Sequence, residues 1–260
     1  MARLKPVQHE DRLTIVEHLD ELRIRIILAV AAFVVGFGLC FWQNHEVLKL
    51  LNEPLPGGRK PLTLGVTEPF LTTLTVSAYT GLLVALPVIL YQLYAFVLPA
   101  FSPAERRFAL PLLIMVPTLF IAGVAFGYFL VLDPAIHFLL NFNNNQFNIQ
   151  VRARDYYSFV MITLLAMGAL FQVPLGIVAA TRLGITNPRQ LRKHRGEAYV
   201  IISIVAALLP SVDPVTLILE MIPLIVLFEL SIVLASVLVR PASQAPAAPA
   251  PERTGQATGS

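Results

Sequence analysis

Two carboxylates beside long apolar runs are the first candidates for chemistry in this 260-residue chain. Glu105 lies in FVLPAFSPAERRFALPLL, residues 96–113, where a short polar gap separates two apolar runs and Arg106 and Arg107 follow the acid. An ionised carboxylate can accept two parallel hydrogen bonds from a guanidinium. The segment SPAE, 102–105, also fits a helix start, with a serine cap, a proline at the first helical position and a glutamate at the third. Cation binding and helix capping both remain open for Glu105.

The second carboxylate is Glu21, in HLDELRIR, residues 18–25. It precedes Arg25 by four residues, the favourable order for an intrahelical ion pair of a few tenths of a kcal/mol. A functional role in binding a cation is the alternative. The segment TIVE, 14–17, is a further capping box, and apolar residues follow at helical spacing. This pattern predicts an amphipathic helix that leads into the first apolar run, with its apolar stripe at Ile15, Leu19, Leu22 and Ile26.

The composition indicates that these acids belong to an integral membrane protein. Hydrophobic residues make up 56% of the chain and charged residues 13%, and the mean hydropathy is +0.72; these values exclude an ordinary water-soluble domain. The runs lack the polar and apolar alternation of a transmembrane β-barrel, so we predict an all-α integral membrane protein. We predict six transmembrane spans, at 24–42, 72–96, 108–132, 157–181, 198–210 and 214–239. The fifth has only about 13 strongly apolar residues, so it would thin the bilayer or be shielded by its neighbours.

The distribution of lysines and arginines predicts the orientation. About 14 of them fall in segments on one side of the predicted membrane and about 5 on the other, and short loops rich in these residues stay cytoplasmic. Both termini are therefore predicted to be cytoplasmic. We divide the chain into a cytoplasmic N-terminal segment (1–23), a membrane domain (24–239) and a disordered Pro/Ala-rich tail (240–260). The polar segment 1–23 does not resemble a cleavable signal peptide.

Prolines and polar residues inside the spans give further expectations. Prolines within four of the apolar runs predict kinked helices that form a concave bundle, and they are Pro87, Pro117, Pro174 and Pro223. Gln172 suits a helix-helix hydrogen bond or cover for the carbonyl freed by Pro174. Asp213 suits a helix N-cap before Pro214. Polar residues that could also contact partner helices or intramembrane water are Gln172, Asp213, Glu220 and Glu229.

The residue inventory does not indicate an enzyme. The single cysteine, Cys40, lies in an apolar run and is expected to be a small core residue. The five histidines form no catalytic dyad or metal-ligand pattern in the sequence. We expect no catalytic residues, no cofactor, no metal and no nucleic-acid partner.

Three segments together resemble a known family. They are HLDELR before the first span, LPVILYQLYAFVLPAFSPAERR across the second span and its loop, and GITNPRQLRKHR before the fifth span. In this order they resemble TatC, the polytopic subunit of the twin-arginine (Sec-independent) protein translocase. The similarity covers about residues 17–239, nearly all of the chain outside its two ends.

The resemblance implies a receptor in the bacterial cytoplasmic (inner) membrane. TatC-like proteins bind twin-arginine signal peptides of folded cargo on the cytoplasmic side. They assemble in larger complexes with single-span TatA-type and TatB-type subunits and use the proton-motive force. Matching the motifs implies signal-peptide binding by Glu21, Phe96 and Glu105. Family members often carry a glutamate or glutamine at the position of Gln172, and the neutral residue here argues against an obligatory titrating group.

Two other classes of membrane protein remain as alternatives. An ion-coupled secondary transporter would also be a kinked polytopic bundle with a few intramembrane acids, but it would be expected to contain inverted internal repeats. We identify no convincing repeat. An intramembrane hydrolase would need a nucleophile and a base, or a metal-ligand cluster, and the sequence offers neither. Contacts with membrane lipids are expected in every case.

Overall fold

The structure is a computed structural model that describes residues 15–97, 103–182, 185–208 and 213–238, with the side chains of 18–97, 113–182, 185–208 and 213–236. The predicted caps at Thr14 and Ser102 and the tail 240–260 lie outside these residues. The described backbone is helical, apart from loops, short turns and one isolated bridge between Leu62 and Arg152. Its α-helices are α1 (Ile15–Trp42), α2 (Asn44–Asn52), α3 (Glu68–Val97), α4 (Pro103–Phe126), α5 (Asp133–Asn141), α6 (Ala153–Leu170), α7 (Val173–Arg182), α8 (Pro188–Lys193), α9 (Arg195–Leu208) and α10 (Pro214–Leu238).

Five helical segments of the described chain are long and apolar enough to cross a membrane. They are His18–Trp42, Glu68–Val97, Leu113–Asn141, Ala153–Arg182 and Pro214–Ser236, and they contain or overlap five of the six predicted spans. The remaining prediction, 198–210, corresponds to α9, which has 14 described residues. At 1.5 Å per residue α9 is about 21 Å long, shorter than a hydrocarbon core of about 30 Å. The all-α fold class is confirmed.

The helix breaks at one of the four predicted proline sites. Helix α6 ends at Leu170, and α7 begins at Val173 with Pro174 as its second residue. A proline removes a backbone donor, and its ring clashes with the carbonyl four residues earlier, so a break at this position is expected. Helices α3 and α10 continue through Pro87 and Pro223.

A π-helical turn at Gly127–Leu132 joins α4 to α5, and the sequence analysis did not predict it. Because of this turn, the third long segment continues to Asn141, whereas the predicted span ends at 132. The turn ends two residues before Pro134, the second residue of α5. A π turn closes hydrogen bonds over one more residue than an α turn. The wider backbone gives the proline ring room that a regular α-helix would not provide.

The first and second long helices meet at two glycines. A Cβ atom added to Gly36 would lie 2.7 Å from the carbonyl oxygen of Gly81, and one added to Gly81 would lie 2.6 Å from the Cα of Phe37. The backbones of α1 and α3 therefore approach too closely for any side chain at these positions. Small residues at helix crossings in lipid allow such close packing, which provides the attraction between spans.

Three tyrosines hold the short helix α2 in place. This helix lies at the opposite end of the bundle from the N-terminus of α1 and the C-terminus of α3. Tyr156 donates its hydroxyl proton to the carbonyl of Leu51, and Tyr128 donates to the carbonyl of Leu50 at 2.8 Å. Tyr157 donates to the Oδ1 of Asn52 at 3.0 Å. Two of these bonds reach backbone carbonyls in the last turn of α2, where a helix leaves carbonyls without i+4 partners; the Leu50 carbonyl also accepts from the backbone N–H of Glu53.

Candidate functional site

The candidate site lies where the beginning of α1 runs beside the end of α3. Glu21 and Arg25 are one turn apart on α1, and the Nε of Arg25 donates to the Oε1 of Glu21 at 3.0 Å. The Nη1 of Arg25 donates to the Oε1 of Gln92 on α3, also at 3.0 Å. The side chains of Glu21 and Arg25 are 27% and 22% exposed, so both remain open to a ligand. The sequence predicted the local ion pair, and the structure adds its anchor on the neighbouring helix.

An aromatic pair lies beside this carboxylate. The rings of His18 and Phe96 are stacked, with centroids 4.3 Å apart and planes 12° from parallel. The Nδ1 of His18 is 3.8 Å from the Oε2 of Glu21. Glu21 and Phe96, two of the three residues assigned to signal-peptide binding, therefore lie around one imidazole.

Sequence reasoning did not identify Gln92 or His18 as members of this site. Gln92 is a polar residue in an otherwise apolar stretch, one helical turn before Phe96, and His18 is one turn before Glu21. That spacing places each of them on the same helix face as its neighbour. Their meeting across two helices depends on how α1 packs on α3, which the spacing within either helix does not determine.

Glu105 is the third predicted binding residue. Helix α4 begins at Pro103, in agreement with the proline expected at the first helical position. The side chain of Glu105 lies outside the described side chains, as do those of Arg106 and Arg107. A shared site for Glu21 and Glu105 therefore stays a prediction.

Two of the polar residues inside the spans have partners in this chain that suit structural roles. The Nε2 of Gln172, in the turn between α6 and α7, donates to the carbonyl of Val116 on α4 at 3.1 Å. The Oδ1 of Asp213 accepts from the backbone N–H groups of Val215 and Thr216, as an N-cap does. These contacts match the helix-helix bond and the cap considered from the sequence. Additional contacts of either residue with a partner stay predictions.

The two glutamates of α10 have different surroundings. Glu220 is fully buried, whereas the side chain of Glu229 is 33% exposed. The carboxylate of Glu229 accepts from the Nη2 of Arg195 at 2.8 Å and from the hydroxyl of Tyr199 at 2.6 Å, so it ties α10 to α9. This interhelical role was not predicted, and partner contacts of both glutamates stay predictions.

Comparisons with known proteins agree with this architecture. A profile of the family described as Sec-independent protein translocase protein (TatC) matches residues 17–223. The TatC protein of Escherichia coli (strain K12) is 35% identical over 227 residues, which cover 86% of this chain and 88% of that protein. The TatC protein of Desulforapulum autotrophicum is 35% identical over 234 residues, covering 88% of this chain and 87% of that one.

Solved structures give the same result at the level of the fold. A crystal structure of the twin-arginine translocase receptor TatC superposes with a TM-score of 0.74 and is 34% identical, covering 86% of this chain and 100% of that one. A second crystal structure of that receptor, in DDM, also gives a TM-score of 0.74, with 36% identity and coverage of 84% and 99%. This chain belongs to the TatC family of Sec-independent protein translocase proteins.

Proposed function

We propose that this chain is the signal-peptide receptor and core scaffold of a twin-arginine translocase, and that Glu21 and Phe96 bind the arginine pair of the signal peptide. Members of this family are components of a protein translocase, and the family is not a known enzyme family. The observation that carries the proposal is a partly exposed Glu21 carboxylate, fixed in orientation by Arg25 and placed beside the His18–Phe96 stack. The two similar crystal structures are of a twin-arginine translocase receptor, which supports the receptor role here.

One oxygen of the Glu21 carboxylate accepts the hydrogen bonds from Arg25, and the other is available to a ligand. Both hydrogen bonds from Arg25 reach Oε1. Among the described residues no hydrogen bond reaches Oε2, and the Nδ1 of His18 lies 3.8 Å from it, which is longer than a hydrogen bond. Oε2 can therefore accept from an arriving guanidinium while Arg25 continues to orient the group. Gln92 holds Arg25 in turn, so the binding group is ordered before the ligand arrives.

The chemistry favours arginine over lysine. A guanidinium presents several donors in a planar fork, whereas an ammonium is a compact point charge. Charge-assisted hydrogen bonds contribute roughly 1.5–3 kcal/mol each, so two such contacts would contribute about 3–6 kcal/mol. That range corresponds to roughly two to four decades in affinity. A guanidinium also stacks on aromatic faces, and the rings of His18 and Phe96 provide such faces beside Glu21.

Glu105 is proposed as the second acid of the same receptor. Only residues 98–102 separate the end of α3, which carries Phe96, from the start of α4, which carries Glu105. This short connection supports a location of Glu105 near Phe96 and Glu21. Glu21 and Glu105 would then each bind one arginine of the signal peptide's pair. The positive charges of Arg106 and Arg107 more naturally fix the orientation of the loop or contact lipid headgroups than bind a basic peptide.

The wider role follows from the family. We propose that the chain lies in the bacterial inner membrane with both termini in the cytoplasm, and that it self-associates and recruits single-span TatA-type and TatB-type subunits. Folded proteins would then cross by means of the proton-motive force. The five long apolar helices of the described chain support the multi-pass membrane location.

Site-specific crosslinking in native membranes tests the receptor role. A photoreactive twin-arginine signal peptide is combined with wild-type protein and with Glu21→Gln, Glu105→Ala and Glu105→Gln variants, and a twin-lysine peptide is used in parallel. The control is Asp20→Asn, which removes an exposed carboxylate next to Glu21 that lies about 100° away around the helix. The readout is the yield of the crosslink between the peptide and the loop 96–105.

We expect loss of the crosslink in the Glu21 and Glu105 variants and with twin lysine, and retention in Asp20→Asn. Insertion and stability of each variant are checked by its abundance in the membrane. An unchanged yield in all Glu21 and Glu105 variants would leave the ion pair of Glu21, and the helix cap predicted for Glu105, as structural roles only. The receptor site would then have to lie elsewhere.

A further inference from the structure

A cavity of about 800 Å³ opens between α3 and α6, at the end of the molecule far from the candidate receptor site. We call it the α3–α6 groove. Both helices begin at this end, because Glu68 at the start of α3 and Arg152 just before α6 form an ion pair at 2.9 Å. In the predicted orientation this is the exported side. The groove walls within the helices include Thr72, Thr75, Val76, Tyr79, Ser158 and Met161.

The length of the groove matches one leaflet of a bilayer. Lining residues on α3 run from Glu68 to Tyr79, eleven positions along the helix. At 1.5 Å per residue this is about 16 Å, or roughly half of a 30 Å hydrocarbon core. The groove therefore extends from the membrane surface to near the middle of the bilayer.

The chemistry of the walls changes with depth. At the outer end are Arg152 and Arg154, and Arg154 is exposed and makes no ion pair with any residue that the structure describes. The pair between Glu68 and Arg152 leaves the outer end with a net positive charge. Leu64 and Leu71 add apolar surface to the outer half of the groove. One to two turns deeper than Glu68, the walls carry the hydroxyl groups of Thr72 and Thr75, and the inner end carries uncharged side chains such as Val76, Tyr79 and Met161.

We propose that the α3–α6 groove binds one anionic phospholipid of the adjacent leaflet. Its phosphate would contact the guanidinium of Arg154, which matches phosphate oxygens with two parallel hydrogen bonds. The ester and glycerol oxygens would lie near the hydroxyls of Thr72 and Thr75, and an acyl chain would cover the apolar inner end. The charged lining residues, Glu68, Arg152 and Arg154, are confined to the outer end of the groove, as the charged headgroup is confined to one end of such a lipid.

Charge favours an anionic lipid over a helix from a partner protein. An apolar transmembrane helix would place hydrocarbon side chains against the exposed Arg154. An anionic headgroup, in contrast, neutralises a charge that no described side chain pairs with.

The test measures lipid binding by the purified full-length protein in detergent. Native mass spectrometry is used to titrate phosphatidylglycerol and, separately, phosphatidylcholine. The variants are Arg154→Gln, which removes the charge, and Thr75→Phe, which fills the groove at an exposed position without changing charge. Lys60→Gln is the control, because it removes a cation from the preceding loop that does not line the groove.

We expect Arg154→Gln to weaken phosphatidylglycerol binding roughly fivefold, as for one basic residue near an anionic lipid, and to weaken phosphatidylcholine binding less, because its choline cation offsets the charge of the phosphate. Thr75→Phe should weaken both lipids, and Lys60→Gln should weaken neither. Equal binding of phosphatidylglycerol by wild type, Arg154→Gln and Thr75→Phe would overturn the proposal. Binding of glycerol phosphate as tight as that of phosphatidylglycerol would also overturn it, because the groove would then bind a free anion with no contribution from an acyl chain. Arg154→Gln alters an exposed side chain and decides the question even if Thr75→Phe does not fold.

Discussion

The crossing of α1 and α3 at Gly36 and Gly81 gives the sharpest test of this structure. The perturbation is Gly36→Ala or Gly81→Ala, each of which adds one methyl group. The new Cβ atom would lie 2.7 Å from the Gly81 carbonyl oxygen or 2.6 Å from backbone atoms of Phe37. Backbone atoms cannot rotate away as a side chain can. The two helices must therefore separate by about 0.7–0.8 Å to reach ordinary contact at 3.4 Å.

The matched control is Gly38→Ala, on the same helix, where an added Cβ atom meets nothing within 4 Å. Replacing glycine by alanine in a helix interior is itself favourable by up to about 1 kcal/mol. The control measures this gain alone, so the difference between Gly36→Ala and Gly38→Ala isolates the packing cost. Overfilling a packed contact costs about 1–3 kcal/mol, and we expect the difference to fall in that range.

The chain carries its own reporter for this experiment. Its single cysteine, Cys40, is 8% exposed and lies one helical turn after Gly36, on the same face of α1. A thiol-reactive dye that fluoresces on coupling reports the exposure of Cys40 as α1 leaves α3. A packing cost of 1–3 kcal/mol corresponds to labelling roughly 5- to 150-fold faster than in the control.

Thermal unfolding followed with the same dye should show the same order, with both crossing variants below Gly38→Ala. If Gly36→Ala and Gly81→Ala label Cys40 as slowly as Gly38→Ala and unfold at the same temperature, the close approach of the two backbones is refuted. If one crossing variant labels Cys40 more slowly than the other, but still faster than Gly38→Ala, the crossing lies nearer to the glycine of the faster variant.

Two further predictions concern hydrogen bonds between helices. Tyr156→Phe removes the donor to the Leu51 carbonyl and should reduce stability by about 1–3 kcal/mol, measured as a lower unfolding temperature, whereas Tyr91→Phe at an exposed ring should not. Gln172→Leu removes the bond to the Val116 carbonyl, which is worth about 0.6 kcal/mol in a membrane, so export of a twin-arginine reporter should persist at near the wild-type rate. Abolished export with normal protein abundance would contradict a packing role for Gln172.

Hydropathy was sufficient to locate the long helices, because a span in lipid must satisfy its backbone internally and must be apolar over a fixed length. The same reasoning identified 198–210 as the short segment, and α9 is short. It did not reveal the π turn at Gly127–Leu132 or the tyrosines that hold α2. Both depend on local geometry or on contacts between residues more than 70 positions apart, which leave no periodic signal.

The candidate site was likewise predicted from the sequence only in part. The pair between Glu21 and Arg25 follows from a spacing of four residues in one helix, so the sequence predicted it. The bond from Arg25 to Gln92 joins residues 67 positions apart. It depends on the register between α1 and α3, which the contact of Gly36 with Gly81 fixes. Without that register, Gln92 is one polar residue in an apolar run.

The close contact between α1 and α3 also has a consequence for the order of assembly during synthesis. The glycine crossing, the bond from Arg25 to Gln92 and the His18–Phe96 stack all lie within the first 97 residues. These two helices are consecutive spans, so they can pair before the ribosome has translated the rest of the chain. The tyrosines that bind α2 are at positions 128, 156 and 157 and emerge later. Two of the three residues of the proposed receptor site, Glu21 and Phe96, would thus be placed in a nascent hairpin, to which the later helices are added.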